Sequence, residues 1–147
     1  MKTILLIHGA NLNLLGQRDK KHYGTLTLGA LEAKVKKEAT KLEMNVKTFQ
    51  SNHEGQLIDF IQKNSPHADG IIINPGAFTH YSYALHDALI DAALPAIEVH
   101  LSEIKNRESW RRKSVVAPAC RLVISGGKEK SYLQAITELR KMLEPKK

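Results

Sequence analysis

The feature that most constrains this chain is an alternation running from end to end, in which short apolar runs are separated by stretches of helical spacing. Thr3-Ile4-Leu5-Leu6-Ile7, Gly70-Ile71-Ile72-Ile73, Ala96-Ile97-Glu98-Val99 and Arg121-Leu122-Val123-Ile124 read as strands, and Val46-Lys47-Thr48-Phe49 adds a fifth. A continuous apolar strand is one covered on both faces, as strands of parallel sheets are. Between the runs, Leu28, Leu31, Val35, Ala39 and Leu42 recur at steps of three and four, after a Thr27 able to cap the helix. Ser51-Asn52-His53-Glu54 has capping-box spacing ahead of Leu57, Ile58 and Ile61. A helix is predicted over Tyr81–Ala93, closed by Pro95, and a last one carries Leu133, Ile136, Leu139 and Leu143. Parallel neighbours need right-handed helical crossovers, so the pattern predicts an α/β fold. Five strands suggest a flavodoxin-like three-layer sandwich, with a parallel sheet in the order 2-1-3-4-5.

The 147 residues suit a single domain, residues 1–147, with no linker or repeat. Cys120 is the one cysteine, which excludes an internal disulfide and fits a reducing compartment, read here as the cytoplasm. No apolar run approaches the roughly 20 residues of a membrane span, and the N-terminus does not read as a secretory signal. The net charge of +7 raises the question of nucleic acid. Many lysines, however, fall on the exposed face of the first helix and in the C-terminal tail, and only 3 Phe, 1 Trp and 4 Tyr are available for stacking. The charge is therefore read as solvated surface and a basic tail, with neither nucleic acid nor membrane as partner.

In an open parallel sheet, ligands bind outside the carboxyl ends of the strands. After the first strand comes a loop from His8 through Asn11 and Arg18 to Tyr23-Gly24. It is roughly 17 residues long, against about 2–6 for an ordinary connection, and has the length of a lid. After the third strand comes Asn74-Pro75-Gly76-Ala77-Phe78-Thr79-His80, and after the fourth His100-Leu101-Ser102. Asparagine, histidine, arginine and tyrosine thus converge on one rim. No dinucleotide or P-loop glycine motif is present, nor the Ser/Thr-rich turn an FMN phosphate would want, nor an acidic pair for Mg²⁺. The histidines lack metal-ligand spacing, so no metal and no cofactor is expected.

Taken together, Asn11-Leu12-Asn13-Leu14-Leu15-Gly16, Arg18, Tyr23-Gly24, Gln50 through Gly55, Asn74 through His80, Glu98 through Ser102 and Arg107 through Ser114 resemble the type II 3-dehydroquinate dehydratases over nearly the whole chain. The resemblance implies a hydro-lyase that converts 3-dehydroquinate to 3-dehydroshikimate by anti elimination through an enolate. It implies Tyr23 as the base, His100 as the acid, Arg18 on the lid near Tyr23, Asn11 holding the water that stabilises the enolate oxygen, and Glu98 orienting His100. Asn74, His80 and Arg111 would hold ring hydroxyls, Leu101 and Ser102 the carboxylate, and Asp87 would reach a neighbouring subunit's site. It further implies a homododecamer, a tetramer of trimers, serving the shikimate pathway of aromatic amino acid biosynthesis. Quinate catabolism, a non-catalytic flavodoxin-like binding module and a flavodoxin-type electron carrier are the alternatives.

The physical chemistry suits those roles. Tyrosine, with an ordinary pKa of about 10, needs a nearby guanidinium to act as a base at neutral pH. Positions 98 and 100 project to the same side of a strand, so a carboxylate can fix the imidazole's tautomer. Fixed amide donors suit an enolate oxygen. Four positions depart from the family pattern. His8 and Ala10 stand where Asn and Pro are common, Arg121 where a small residue is common, and Trp110 where Phe is frequent.

Overall fold

The structure is a computed structural model and describes residues 1–145. Five strands, β1 (Lys2–His8), β2 (Met44–Gln50), β3 (Gly70–Asn74), β4 (Ala96–Val99) and β5 (Leu122–Ile124), form one parallel sheet in the order β2-β1-β3-β4-β5. The helices are α1 (Lys20–Tyr23), α2 (Leu28–Lys41), α3 (Glu54–Asn64), α4 (Tyr83–Ala92) and α5 (Glu129–Met142). Among the described residues no helix is long and apolar enough to cross a membrane. Lys146 and Lys147, the end of the basic tail, lie outside the described residues.

The apolar runs are buried on both faces because alternate side chains feed two cores. Ile4, Leu6, Ile72, Ile97 and Val99 pack with Leu31, Val35 and Ala39 of α2 and with Tyr132, Ala135, Ile136 and Leu139 of α5. Leu5, Ile7, Ile71 and Ile73 pack with Leu57 and Ile61 of α3 and with Leu85 and Leu89 of α4. The period of two along each strand thus becomes the three layers of the domain.

Four local expectations change. Thr27 does cap α2, its hydroxyl accepting the Ala30 N–H at 3.2 Å, but the box from Ser51 to Glu54 does not close. Helix α3 starts at Glu54 itself, so Glu54 sits too early to reach back, and its carboxylate accepts from Ser82 instead. The Ser51 hydroxyl takes the His53 N–H at 2.9 Å. Helix α4 begins at Tyr83 because a 3₁₀ turn over Gly76–His80 precedes it and Ser82 caps it, accepting the Leu85 N–H at 3.1 Å. Strand β5 excludes Arg121, although the Arg121 N–H still bonds Ala96 O at 2.8 Å. The core face of α5 is headed by Tyr132, while Leu133 is only half-buried.

The long loop after β1 is internally built. Leu12 and Leu15 are buried in the core, Asp19 caps the one-turn α1 by accepting the Lys21 N–H at 3.0 Å, and Gly24 ends it at φ 76°. The loops after β1 and β3 press together: a Cβ on Gly9 would fall 2.1 Å from Pro75 O, and one on Gly76, at φ 63°, 2.7 Å from Ala10 O. Only glycine lets the two strand ends meet this closely, and that brings Asn11 and Asn74 to one rim.

Candidate active site

A pocket opens at the carboxyl ends of β1, β3 and β4. Its lining includes Asn11, Arg18, Tyr23, Asn74, His80, His100, Leu101, Ser102, Arg107 and Arg111. Every site residue expected from the sequence is therefore on its wall, except Glu98 and Asp87.

Glu98 lies directly behind the wall. It is 0% exposed at the end of β4, and one carboxylate oxygen bonds His100 Nε2. The same oxygen accepts from the Thr79 hydroxyl at 2.7 Å, and the other accepts from the Ser114 hydroxyl at 2.7 Å. Burial alone would raise the carboxyl's pKa, but the bonds from His100, Ser114 and Thr79 hold it below its ordinary value. A carboxylate only accepts, so His100 Nε2 carries a proton and Nδ1 is the ring's other proton site. Thr79 and Ser114 were not identified from the sequence. Both lie inside motifs that the resemblance uses, but only the fold brings them to the same carboxylate.

Tyr23 stands at the end of α1, half-buried. The Arg18 guanidinium lies 3.8 Å from the centre of its ring, so Arg18 is not a solvated loop charge. The hydroxyl, however, is reached by another arginine. Arg107 Nη1 donates to Tyr23 Oη at 2.8 Å and lies 3.4 Å from Ser102 Oγ. In the sequence, Arg107 stands out only as the first residue of the 107–114 motif. A 3₁₀ turn over Ile104–Asn106 carries it 84 residues back to the tyrosine. Burial lowers the pKa of Arg18 first, Tyr23 opposes that, and the charges of Arg107 and Arg111 add to the lowering. Two guanidiniums, those of Arg18 and Arg107, therefore flank one phenol, and guanidinium stays protonated there.

The remaining wall is polar. Asn74 Oδ1 accepts the Gly76 N–H at 3.0 Å, and Nδ2 donates to Tyr132 Oη at 2.8 Å. His80 Nδ1 lies 2.6 Å from Lys113 O. A carbonyl only accepts, so Nδ1 is protonated and Nε2 is left as an acceptor. Burial above all lowers the pKa of His80 and favours that neutral form. The Arg111 guanidinium lies 4.0 Å over the exposed Trp110 ring and is ion-paired with Glu108, its Nε off the hydrogen-bond direction. Asn11 takes φ 69° and donates its N–H to Asn52 Oδ1 at 2.8 Å. Neither the Leu101 nor the Ser102 N–H donates to another backbone carbonyl among the described residues. Asp87 stands apart, its side chain 75% exposed on α4 and paired with His86 at 2.9 Å.

A doubly covered parallel sheet of flavodoxin-like fold here carries, at its strand ends, a phenol beside guanidiniums and an imidazole on a buried carboxylate, groups of the type that acid–base chemistry uses. The model of the class II dehydroquinases matches residues 2–140. The 3-dehydroquinate dehydratase of Caldicellulosiruptor saccharolyticus is 52% identical over 144 residues, covering 97% of this chain and 99% of that protein. The crystal structure of the type II dehydroquinase from Butyrivibrio crossotus superposes with a TM-score of 0.91 at 44% identity, over 94% of this chain and 97% of that one. That from Propionibacterium acnes gives 0.92 at 35% identity, over 96% and 97%. The chain belongs to the class II dehydroquinase family and is a hydro-lyase.

Proposed function

We propose that this enzyme dehydrates 3-dehydroquinate to 3-dehydroshikimate by anti elimination. The Tyr23 phenolate takes the C2 proton, and the electron pair passes into the ring ketone as an enolate. The enolate collapses as His100 protonates the departing C1 hydroxyl, which leaves as water. Asn11 holds the water that stabilises the enolate oxygen. Asn74, His80 and Arg111 hold ring hydroxyls, and the Leu101 and Ser102 amides with the Ser102 hydroxyl take the carboxylate.

The observation that carries this reading is the 2.8 Å bond from Arg107 to Tyr23 Oη with Arg18 over the same ring. A guanidinium at the oxygen favours phenolate over phenol, and each tenfold gain in phenolate needs about 1.36 kcal/mol of such preference. The Glu98 carboxylate supports the imidazolium that His100 must be before it gives up its proton. Arg107 joins Arg18 as a cation of the base; the family resemblance as read from the sequence used Arg18 alone.

The enzyme works in the shikimate pathway, in the cytoplasm, as a homododecamer in which Asp87 reaches a neighbouring site. The exposed Tyr81, Tyr83 and Ile90 beside Asp87 supply an apolar face for such packing, and a solution mass of a dodecamer rather than a monomer checks it. The activity is tested by the enone absorbance that grows when purified protein meets 3-dehydroquinate. Growth no faster than with Tyr23→Phe removes the reading.

A further inference from the structure

Asn74 is a pocket residue whose side chain is held by a buried phenol that the reaction itself does not use. Its Oδ1 is committed to the Gly76 N–H and one Nδ2 proton to Tyr132 Oη. Tyr132 is 58 residues away on the first turn of α5 and is 0% exposed. Burial pushes its phenol well above the ordinary range, so it is neutral and its oxygen is free to accept. Near the ring stands His8, paired with Asn74 in the β1–β3 register, with its ring centre 6.2 Å from that of Tyr132. His8 is itself fully buried and anchored through Nε2 to Glu32 Oε2 on α2 at 3.2 Å. The Glu32 carboxyl is held below its ordinary value, first by the bond from His8.

We propose that Tyr132, backed by the His8–Glu32 pair, is a positioning residue for substrate binding: its hydroxyl locks the Asn74 carboxamide in one orientation so that the second Nδ2–H is presented to the pocket. A carboxamide can turn over by half a revolution and exchange its donor for its acceptor end. The Gly76 N–H is a fixed donor and selects the oxygen end. The Tyr132 oxygen fills the first amide proton. The second is the only donor of Asn74 left for a ligand hydroxyl. Without the phenol oxygen, the amide keeps a single anchor, and part of the binding free energy goes into ordering it.

The inference rests on the dehydratase reading for its kinetic arm only. Tyr132→Phe deletes one oxygen and keeps the ring. KM for 3-dehydroquinate is expected to rise about five- to tenfold, the worth of one hydrogen bond, with kcat within about twofold. A purely structural role would lower the active fraction, and so the apparent kcat, without moving KM; that pattern overturns the proposal. In an Asn74→Ala background, Tyr132→Phe should add nothing to KM, because the group it positions is gone. Additive changes overturn the proposal.

An arm independent of turnover and of any variant's folding is the side-chain amide resonance of Asn74 in the wild-type protein. One proton bonded to Tyr132 should exchange slowly with solvent while the other exchanges fast. Two protons exchanging alike overturn the inference even in a fully active enzyme. Absent turnover in the wild type would instead remove the dehydratase reading and leave this measurement to decide.

Discussion

Glu98 and His100 stand at the end of a central strand, while Tyr23 and Arg18 stand on a one-turn helix and the loop before it. The first pair is held by the sheet, by packing on both faces and by two hydroxyls from separate loops. The second is held by Arg107, which comes from a third segment, and by the burial of Leu12 and Leu15 beneath the loop. Both halves end at one pocket, yet they differ in what fixes them. The acid side is preorganised by the fold itself, so its electrostatics exist before any ligand arrives. The base side is assembled from loops, where local stability is lowest and closure can be coupled to binding. A polar group that must stay charged is kept in the interior, and a group that must meet substrate from the open side is kept on a support built from loops.

The largest expected effect comes from removing the base. Tyr23→Phe should cut kcat by about three to four orders of magnitude, the upper part of the range for general acid–base catalysis, in a steady-state assay. His100→Ala should lose about two to three orders while substrate still binds by calorimetry. Comparable loss of binding would place His100 with the binding residues and erase the contrast.

The two arginines give a smaller and more discriminating test. Arg107→Ala removes the cation at the phenol oxygen and should lower kcat by about tenfold or more in the same steady-state assay. Arg18→Ala removes a cation stacked on the ring face and should cost about half as much on a logarithmic scale. The reverse ranking would return the leading role to Arg18.

The smallest effect is on stability. Glu98 has its pKa held below the ordinary 4.5 in the folded protein. It therefore contributes stability that is complete above that value and is lost as pH falls through the lower folded pKa. Thermal melts should show the wild type losing Tm below about pH 4.5, and Glu98→Gln should lack that part of the acid limb. Equal acid limbs would mean that the buried carboxylate carries no folding linkage.

Much of the fold was legible because its signal is local. The all-apolar strands, the Thr27 cap and the order of elements follow from residues a few positions apart. The strand-end rule then located the rim, and the family resemblance named Tyr23 and His100 upon it. What escaped was pairing at a distance. The capping box failed because α3 starts two residues later than its spacing suggests and because Glu54 found a partner on another segment. Tyr132 on the core face of α5 escaped as well, because an apolar period does not reveal that a phenol can be buried once an amide meets its oxygen.

By itself the sequence determined the class of fold, the pocket's edge of the sheet and the kinds of group gathered there, since periodicity and strand-end position are properties of neighbouring residues. Only the tertiary structure decided that Arg107 and not Arg18 meets the phenol oxygen, that Thr79 and Ser114 share Glu98, and that Tyr132 holds Asn74. Each of those bonds spans 16 to 84 residues. Their partners are chosen by how crossovers and loops pack, because a buried polar group must find whichever complementary group the finished fold places beside it.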